Sequence, residues 1–178
     1  GARIIDLSAV VSGPMAAGVL ADQGAEVIKV EPPGWGDGVR YLGASRGGVS
    51  AIFSLINRNK KSLALNLKHP DGQAILMRLL ATADGVMHNY RPGKMEKLGL
   101  GYASLCEHFP DLIYLAISGM GDVGPYAGQK VYDYVIQGLS GILDAQGTHN
   151  RFEMVRTIIY DKVTALTAAQ AMTAGLYN

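Results

Sequence analysis

The first thirty-three residues limit the fold more than any other stretch. Arg3-Ile4-Ile5-Asp6-Leu7 is a short apolar run ending in turn residues, which reads as a buried strand. Ser12-Gly13-Pro14 follows, with proline well placed for a first helical turn. Met15 to Asp22 then carries apolar residues at helical spacing, and Gly24 supplies a stop. Ala25-Glu26-Val27-Ile28-Lys29-Val30-Glu31 is a second strand, ended by Pro32-Pro33. A strand, a helix and a strand in this order make a β-α-β unit. Such a unit favours a parallel sheet with a right-handed crossover.

The rest of the chain continues the alternation. Residues 32–49 are glycine-rich and include Trp35, Asp37 and Arg40, which predicts a loop of a length that is usually functional or mobile. Ser50 to Ile56 reads as helix and Ser62 to Leu67 as strand. Pro70-Asp71-Gly72 opens a helix from Gln73 to Thr82 whose Ile75, Leu76, Leu79 and Leu80 share one face. Gly85 to Tyr90 is a strand, and Arg91-Pro92-Gly93 turns into a short helix through Leu98. Tyr102 to Phe109 is helical, and Leu112 to Ser118 is an apolar strand. A second glycine-rich loop spans Gly119 to Gly128. Val131 to Leu143 is a helix interrupted near Gly138 and Gly141, and Met154 to Ile159 is a short strand candidate. The expected fold is α/β: a Rossmann-like, doubly wound, mainly parallel sheet with flanking helices.

The final stretch, from Tyr160-Asp161-Lys162 to Leu176, is a small-residue helix with no charge after Lys162. A carboxylate at such a place is either a cap or a working group. As an N-cap, Asp161 would accept from the amides of Val163 or Thr164, a contribution of about 1 kcal/mol. As a nucleophile it would sit at the positive end of the helix dipole, which favours its ionised form.

Several functions lack support. A net charge of +1 gives no electrostatic case for nucleic acid or an anionic membrane surface. The single cysteine, Cys106, leaves no intrachain disulfide and fits a reducing, cytoplasmic setting. No apolar stretch reaches membrane length. The histidines at 69, 88, 108 and 149 show no ligand spacing, so no metal is expected. The first β-α turn, Ser8 to Pro14, lacks the paired glycines of a dinucleotide site, although Glu31 stands where a ribose-binding acid would. Lys60, Lys61, Lys68, Lys94, Lys97 and Lys130 follow or bracket strands. Lysines at the carboxyl ends of parallel strands suit phosphate as point charges, and elsewhere are merely solvated.

Several ordered motifs together resemble one family. They are Ile5-Asp6-Leu7-Ser8 with Ser12-Gly13-Pro14, and Leu20-Ala21-Asp22-Gln23-Gly24-Ala25 running on to Glu31-Pro32. Gly36-Asp37 with Arg40 and Asn57-Arg58-Asn59-Lys60-Lys61 through Lys68 follow. Then come Ala83 to Gly93, Leu98-Gly99-Leu100, Ile117 to Gly121, and Tyr132-Asp133 with Gln137, Ser140 and Gly141. With the Asp161-led helix, they resemble the family III coenzyme A transferases over essentially all 178 residues. The resemblance implies a Rossmann-like large domain, of which 1–178 is the N-terminal part. The small domain and a C-terminal return segment are expected to lie outside this chain. It further implies a homodimer of interlocked subunits acting on an acyl-CoA and a carboxylic acid, with no metal.

By the same resemblance Asp161 is the nucleophile, passing through a mixed anhydride and an aspartyl-CoA thioester. Val10, Leu65, Lys68, Asn89, Tyr90, Lys97 and Lys130 match coenzyme A contacts, with Arg91 a further candidate. Lys68 and Lys97 are assigned to the phosphate or adenine side, and Tyr90 to an apolar wall. The chain departs from the family pattern in three places. Tyr160 precedes the nucleophile where a small residue is usual, and Ala165 stands four after it where glycine is usual. Pro32 replaces an arginine that often follows the strand-ending glutamate. A sister group, the α-methylacyl-CoA racemases, uses a histidine where Tyr132 stands, and tyrosine is a poor base at neutral pH. The alternatives are a non-catalytic coenzyme A-binding or interaction domain, a racemase-like enzyme, and a nucleotide-dependent oxidoreductase.

Overall fold

The computed structural model describes residues 1–178. A five-stranded parallel sheet forms the centre: β1 (Arg3–Asp6), β2 (Glu26–Glu31), β5 (Lys60–Ala64), β6 (Gly85–His88) and β7 (Ile113–Ala116), ordered β5-β2-β1-β6-β7. The chain leaves β1 through α1 (Ser12–Asp22), returns in β2, and passes outward to β5 by way of α2 (Ala51–Asn57). It then crosses back over α3 (Pro70–Leu80) to place β6 on the other flank of β1. Short helices α4 (Lys94–Lys97) and α5 (Tyr102–His108) lead to β7. A small antiparallel pair, β3 (Ser45–Arg46) and β4 (Val49–Ser50), projects from the loop after β2. The C-terminal third carries α6 (Asp133–Leu139), α7 (Ile142–Gln146) and α8 (Ile159–Tyr177).

Successive residues of a strand point to opposite faces of the sheet, so each strand feeds two cores. Ile4 and Met87 are buried on the face covered by α1 and α8, together with Ala16, Ala17, Ala165, Ala168, Ala169 and Met172. Ile5 and Val86, their immediate neighbours, are fully buried on the other face against Leu76, Leu80, Met95 and Leu105. The result is a three-layer α/β sandwich in which the first face is packed largely with alanine. Small side chains let α8 lie close along α1 and the strands beneath.

The expected doubly wound sheet is present, and the differences are local. α1 starts at Ser12 rather than Met15, β5 starts two residues earlier than its apolar pattern suggests, and α3 runs from Pro70. The expected strand at Met154 to Ile159 does not form: Met154 to Ile158 carries no strand or helix, and α8 begins at Ile159. The interrupted helix near Gly138 and Gly141 is two helices, separated where Gly141 takes φ 80°, a left-handed turn that L side chains rarely adopt.

Candidate functional site

Strand order reverses between β1 and β6, because the connection after β1 leaves on one side and β6 enters from the other. At such a switch point the loops beyond the two carboxyl ends part and leave a crevice. Here the crevice is a cleft of about 260 Å³. Val10, Val11 and Ser12 beyond β1, Asn89, Tyr90 and Arg91 beyond β6, and Lys130, Asp133, Tyr160 and Asp161 from the C-terminal third line it.

Two devices hold the β1–α1 loop at the mouth of this cleft. The first is Asn89, whose Nδ2 donates to the Ala9 carbonyl at 2.6 Å while its Oδ1 accepts from the Ala9 amide at 2.9 Å. This staples the ends of β1 and β6 together across the switch point. The second is a set of charges buried beneath the loop. Lys60 Nζ donates to Asp6 Oδ2 (2.9 Å), the Pro14 carbonyl (2.7 Å) and Asn57 Oδ1 (2.9 Å). Lys29 Nζ donates to the Ser8 carbonyl at 2.9 Å and lies 3.1 Å from Asp37 Oδ2. That oxygen has no aligned hydrogen-bond donor, so its contact with Lys29 is ionic. Glu31 accepts two hydrogen bonds from Arg40, at 2.9 and 2.6 Å, and one from the Asp37 amide. Three carboxylates thus face three cations, which is how charge survives burial.

Burial alone would push the Asp6 carboxyl up. Lys60 and Lys29, with the Ser8 hydroxyl, overcome this and hold it below the ordinary aspartate range. Asp37 Oδ1 in turn accepts from the amides of Val10 (3.2 Å) and Val39 (3.1 Å). Val10 takes φ 69°, a strained value for a β-branched residue, and leaves its side chain partly exposed at the cleft. Close approach of the loop to α1 depends on Gly13, where a Cβ would come within 2.3 Å of Ser8 Cβ. Glu31 is buried and tied to Arg40, so it is not available as a ribose-binding acid.

Asp161 does not cap α8. It lies in the first helical turn, three residues beyond Ile158, and its side chain accepts no bond from Val163 or Thr164. The cap comes from a different helix. Asp133 Oδ2 accepts from the amides of Tyr160 (2.6 Å) and Asp161 (3.0 Å). Asp161 is half-buried in the cleft wall with its carboxylate free of capping. Burial pushes its carboxyl above the ordinary range, the neighbouring Asp133 pushes it further, and Ser12 at the start of α1 opposes them. A carboxylate with few stabilising partners, at a helix N-terminus and open to a cleft, has the properties of a nucleophile.

Of the residues singled out from sequence, the cleft brings together Val10, Asn89, Tyr90, Arg91, Lys130 and Asp161. Leu65, Lys68 and Lys97 lie outside its lining. Leu65 is buried in the core just past β5, Lys68 is exposed two residues before α3, and Lys97 is exposed at the end of α4. Lys94, named from sequence only among the lysines that follow strands, places Nζ 4.0 Å above the Tyr90 ring, a cation–π contact. Its ammonium is pushed down first by burial and then by the charges of Lys68 and Arg91. Tyr90 also stacks on His88, whose Nε2 is 2.8 Å from the Tyr114 hydroxyl. Asp133 and Gln137 likewise escaped selection as site residues. An acid in a first helical turn with glutamine four residues on was the available signal.

The family model described as CoA-transferase family III matches residues 1–178. The chain is 42% identical to the human succinyl-CoA:glutarate CoA-transferase, over 99% of this chain and 41% of that protein. It is 44% identical to an acetyl-CoA:oxalate CoA-transferase from Acetobacter aceti, over 83% of this chain and 38% of that protein. Among solved structures, a CAIB/BAIF family protein from Brucella suis superposes with a TM-score of 0.92 at 35% identity, covering 99% of this chain and 48% of that one. The chain therefore spans roughly two fifths of the length of these curated relatives.

Proposed function

The chain belongs to CoA-transferase family III, and on that footing we propose that it transfers coenzyme A from an acyl-CoA thioester to a carboxylic acid through covalent intermediates on Asp161. The observation that carries this reading is the uncapped Asp161 carboxylate, facing a cleft at the switch point whose rim holds Arg91 and Lys130.

The steps balance without water. Asp161 Oδ attacks the thioester carbon, the C–S bond breaks, and coenzyme A leaves as thiolate from a mixed anhydride. The thiolate attacks the Asp161 Cγ, the anhydride C–O bond breaks, and the donor acid departs as carboxylate. The acceptor carboxylate then attacks Cγ of the aspartyl thioester and expels the thiolate. The thiolate attacks the acceptor acyl carbon of the new anhydride, giving the product thioester and restoring Asp161. Each step exchanges a carboxylate with a thiolate, so no proton is taken up and no general base is required.

Lys68 and Lys97 would take the phosphates as point charges, and Tyr90, with Lys94 over its ring, would form an apolar wall. Relatives named for succinyl-CoA, glutarate and oxalate supply the probes. Coenzyme A transfer from succinyl-CoA to glutarate or oxalate, followed by chromatography of the thioesters, is expected for the protein and absent in Asp161→Ala. Transfer that survives in Asp161→Ala would overturn the covalent reading. Coenzyme A binding without transfer would favour a non-catalytic binding domain.

A cytoplasmic homodimer is part of the same proposal. The single cysteine suits a reducing setting. No helix is long and apolar enough to cross a membrane. Exposed apolar side chains collect in the C-terminal third, among them Leu139, Phe152 and Leu166, as at association surfaces. Sedimentation at micromolar concentration is expected to give a dimer; a clean monomer would contradict it.

A further inference from the structure

We propose that Asp133 is the positioning residue of the Asp161 nucleophile: its carboxylate caps α8 from α6, fixes the backbone of the turn that carries Asp161, and places a negative charge beside it. The inference rests on the reading of Asp161 as the reacting group.

Asp133 is 6% exposed and receives three donors. Oδ2 takes the amides of Tyr160 and Asp161, and Oδ1 takes Gln137 Nε2 at 2.6 Å. Gln137, fully buried, cannot turn its amide round. Its Oε1 accepts from the Val155 amide at 3.0 Å, and its Nε2 also faces the carbonyls of Val155 and Thr157. Both oxygens of Asp133 therefore act as acceptors, the arrangement that suits a carboxylate. An asparagine would set its NH2 against a donor on one side or the other.

Satisfying the first α8 amides from another helix leaves the Asp161 side chain with no capping duty. It also leaves the Asp133 carboxylate 3.0 Å from the Asp161 amide, and neither acid has an ion-pair partner within 4.0 Å. The groups around Asp161 are Asp133 on α6, Ser12 on α1, Tyr160 and Lys162 on α8, Lys130 and Tyr132 before α6, and Tyr90 and Arg91 after β6. Lys162 is turned away to the Thr157 hydroxyl. The charge of Asp133 therefore disfavours the ionised form of Asp161 and strengthens its carboxylate as a base and nucleophile.

Carbon-13 NMR of the aspartate side-chain carboxyls, with Asp161 assigned through Asp161→Asn, tests this without substrate. In the wild-type protein Asp161 is expected to titrate above the ordinary aspartate range. In Asp133→Asn and Asp133→Ser the Asp161 midpoint should fall, and the acid limb of the pH–rate profile should move to lower pH with it. Serine keeps one cap acceptor, so it should recover part of the roughly hundredfold loss of turnover expected when the reacting group is misplaced by about an ångström. It should not recover the acid limb. A wild-type Asp161 titrating in or below the ordinary range would overturn the proposal even if neither variant folds. An unmoved midpoint in a folded variant would do the same. Because the titration needs no coenzyme A, a correct titration in a protein without transfer activity would count against the proposed reaction alone.

Discussion

Asp6 and Lys60 are both almost wholly buried, and each is satisfied only by the other and by fixed backbone and side-chain partners. Lys60→Met leaves Asp6 charged in the core and is expected to cost about 3–5 kcal/mol in urea denaturation. The double variant with Asp6→Asn should lose less than the sum of the two single changes. A loss below about 1 kcal/mol for Lys60→Met would mean that Lys29 alone compensates Asp6. Asp161 gives the opposite sign. Burial, then Asp133, raise its folded carboxyl above the unfolded value, so the folded chain holds the proton more tightly and stability falls as pH rises through that window. Asp161→Asn removes the ionisation. It should therefore denature later than the wild type at pH 7, with the gap closing below about pH 4. An Asp161→Asn variant less stable than the wild type at pH 7 would show the carboxylate to be structural. At this scale Asp161 was visible in the sequence because charge is so scarce in its helix. Asp133 was not chosen, because its partners Tyr160 and Asp161 lie 27 and 28 residues away, and hydrogen bonds of that span leave no local pattern.

Helix α8 shows what periodicity can and cannot specify. Its apolar residues run all round the helix, so the sequence marks a helix without marking its buried face. Packing selects Ala165, Ala168, Ala169 and Met172 for the core and leaves Val163 and Leu166 half exposed. Ala169→Leu inserts three carbons into the alanine-rich layer against α1 and is expected to cost about 1–3 kcal/mol in thermal or urea denaturation. A neutral result would mean that the two helices can separate at no cost. Strands β1, β2, β6 and β7 were legible as apolar runs bounded by turn residues. The missing strand before α8 was not: Met154 to Ile159 has strand-forming residues, but Gln137 takes up the Val155 amide that a ladder would need. Similarly, Asp161 read as a helix start because nothing local shows that α8 begins two residues earlier, with a borrowed cap.

For the whole molecule, the parallel α/β sheet followed from the first β-α-β unit, and its switch point brought six of the nine expected site residues to one cleft. Leu65, Lys68 and Lys97 stand apart, since their link to the cleft would run through a ligand the length of coenzyme A rather than through contact. The strained Val10 turn and the charges buried beneath it depend on the crossing of β1, β2 and β5, which no single stretch of sequence encodes. The central claim is that this architecture serves a covalent carboxylate at Asp161. Its most direct test is peptide mapping by mass spectrometry after incubation with succinyl-CoA and hydroxylamine trapping. An activated acyl group on Asp161 should be captured as a hydroxamate on the Asp161 peptide and on no other, and only when the thioester is present. A protein that turns over succinyl-CoA with its Asp161 peptide unmodified would contradict it.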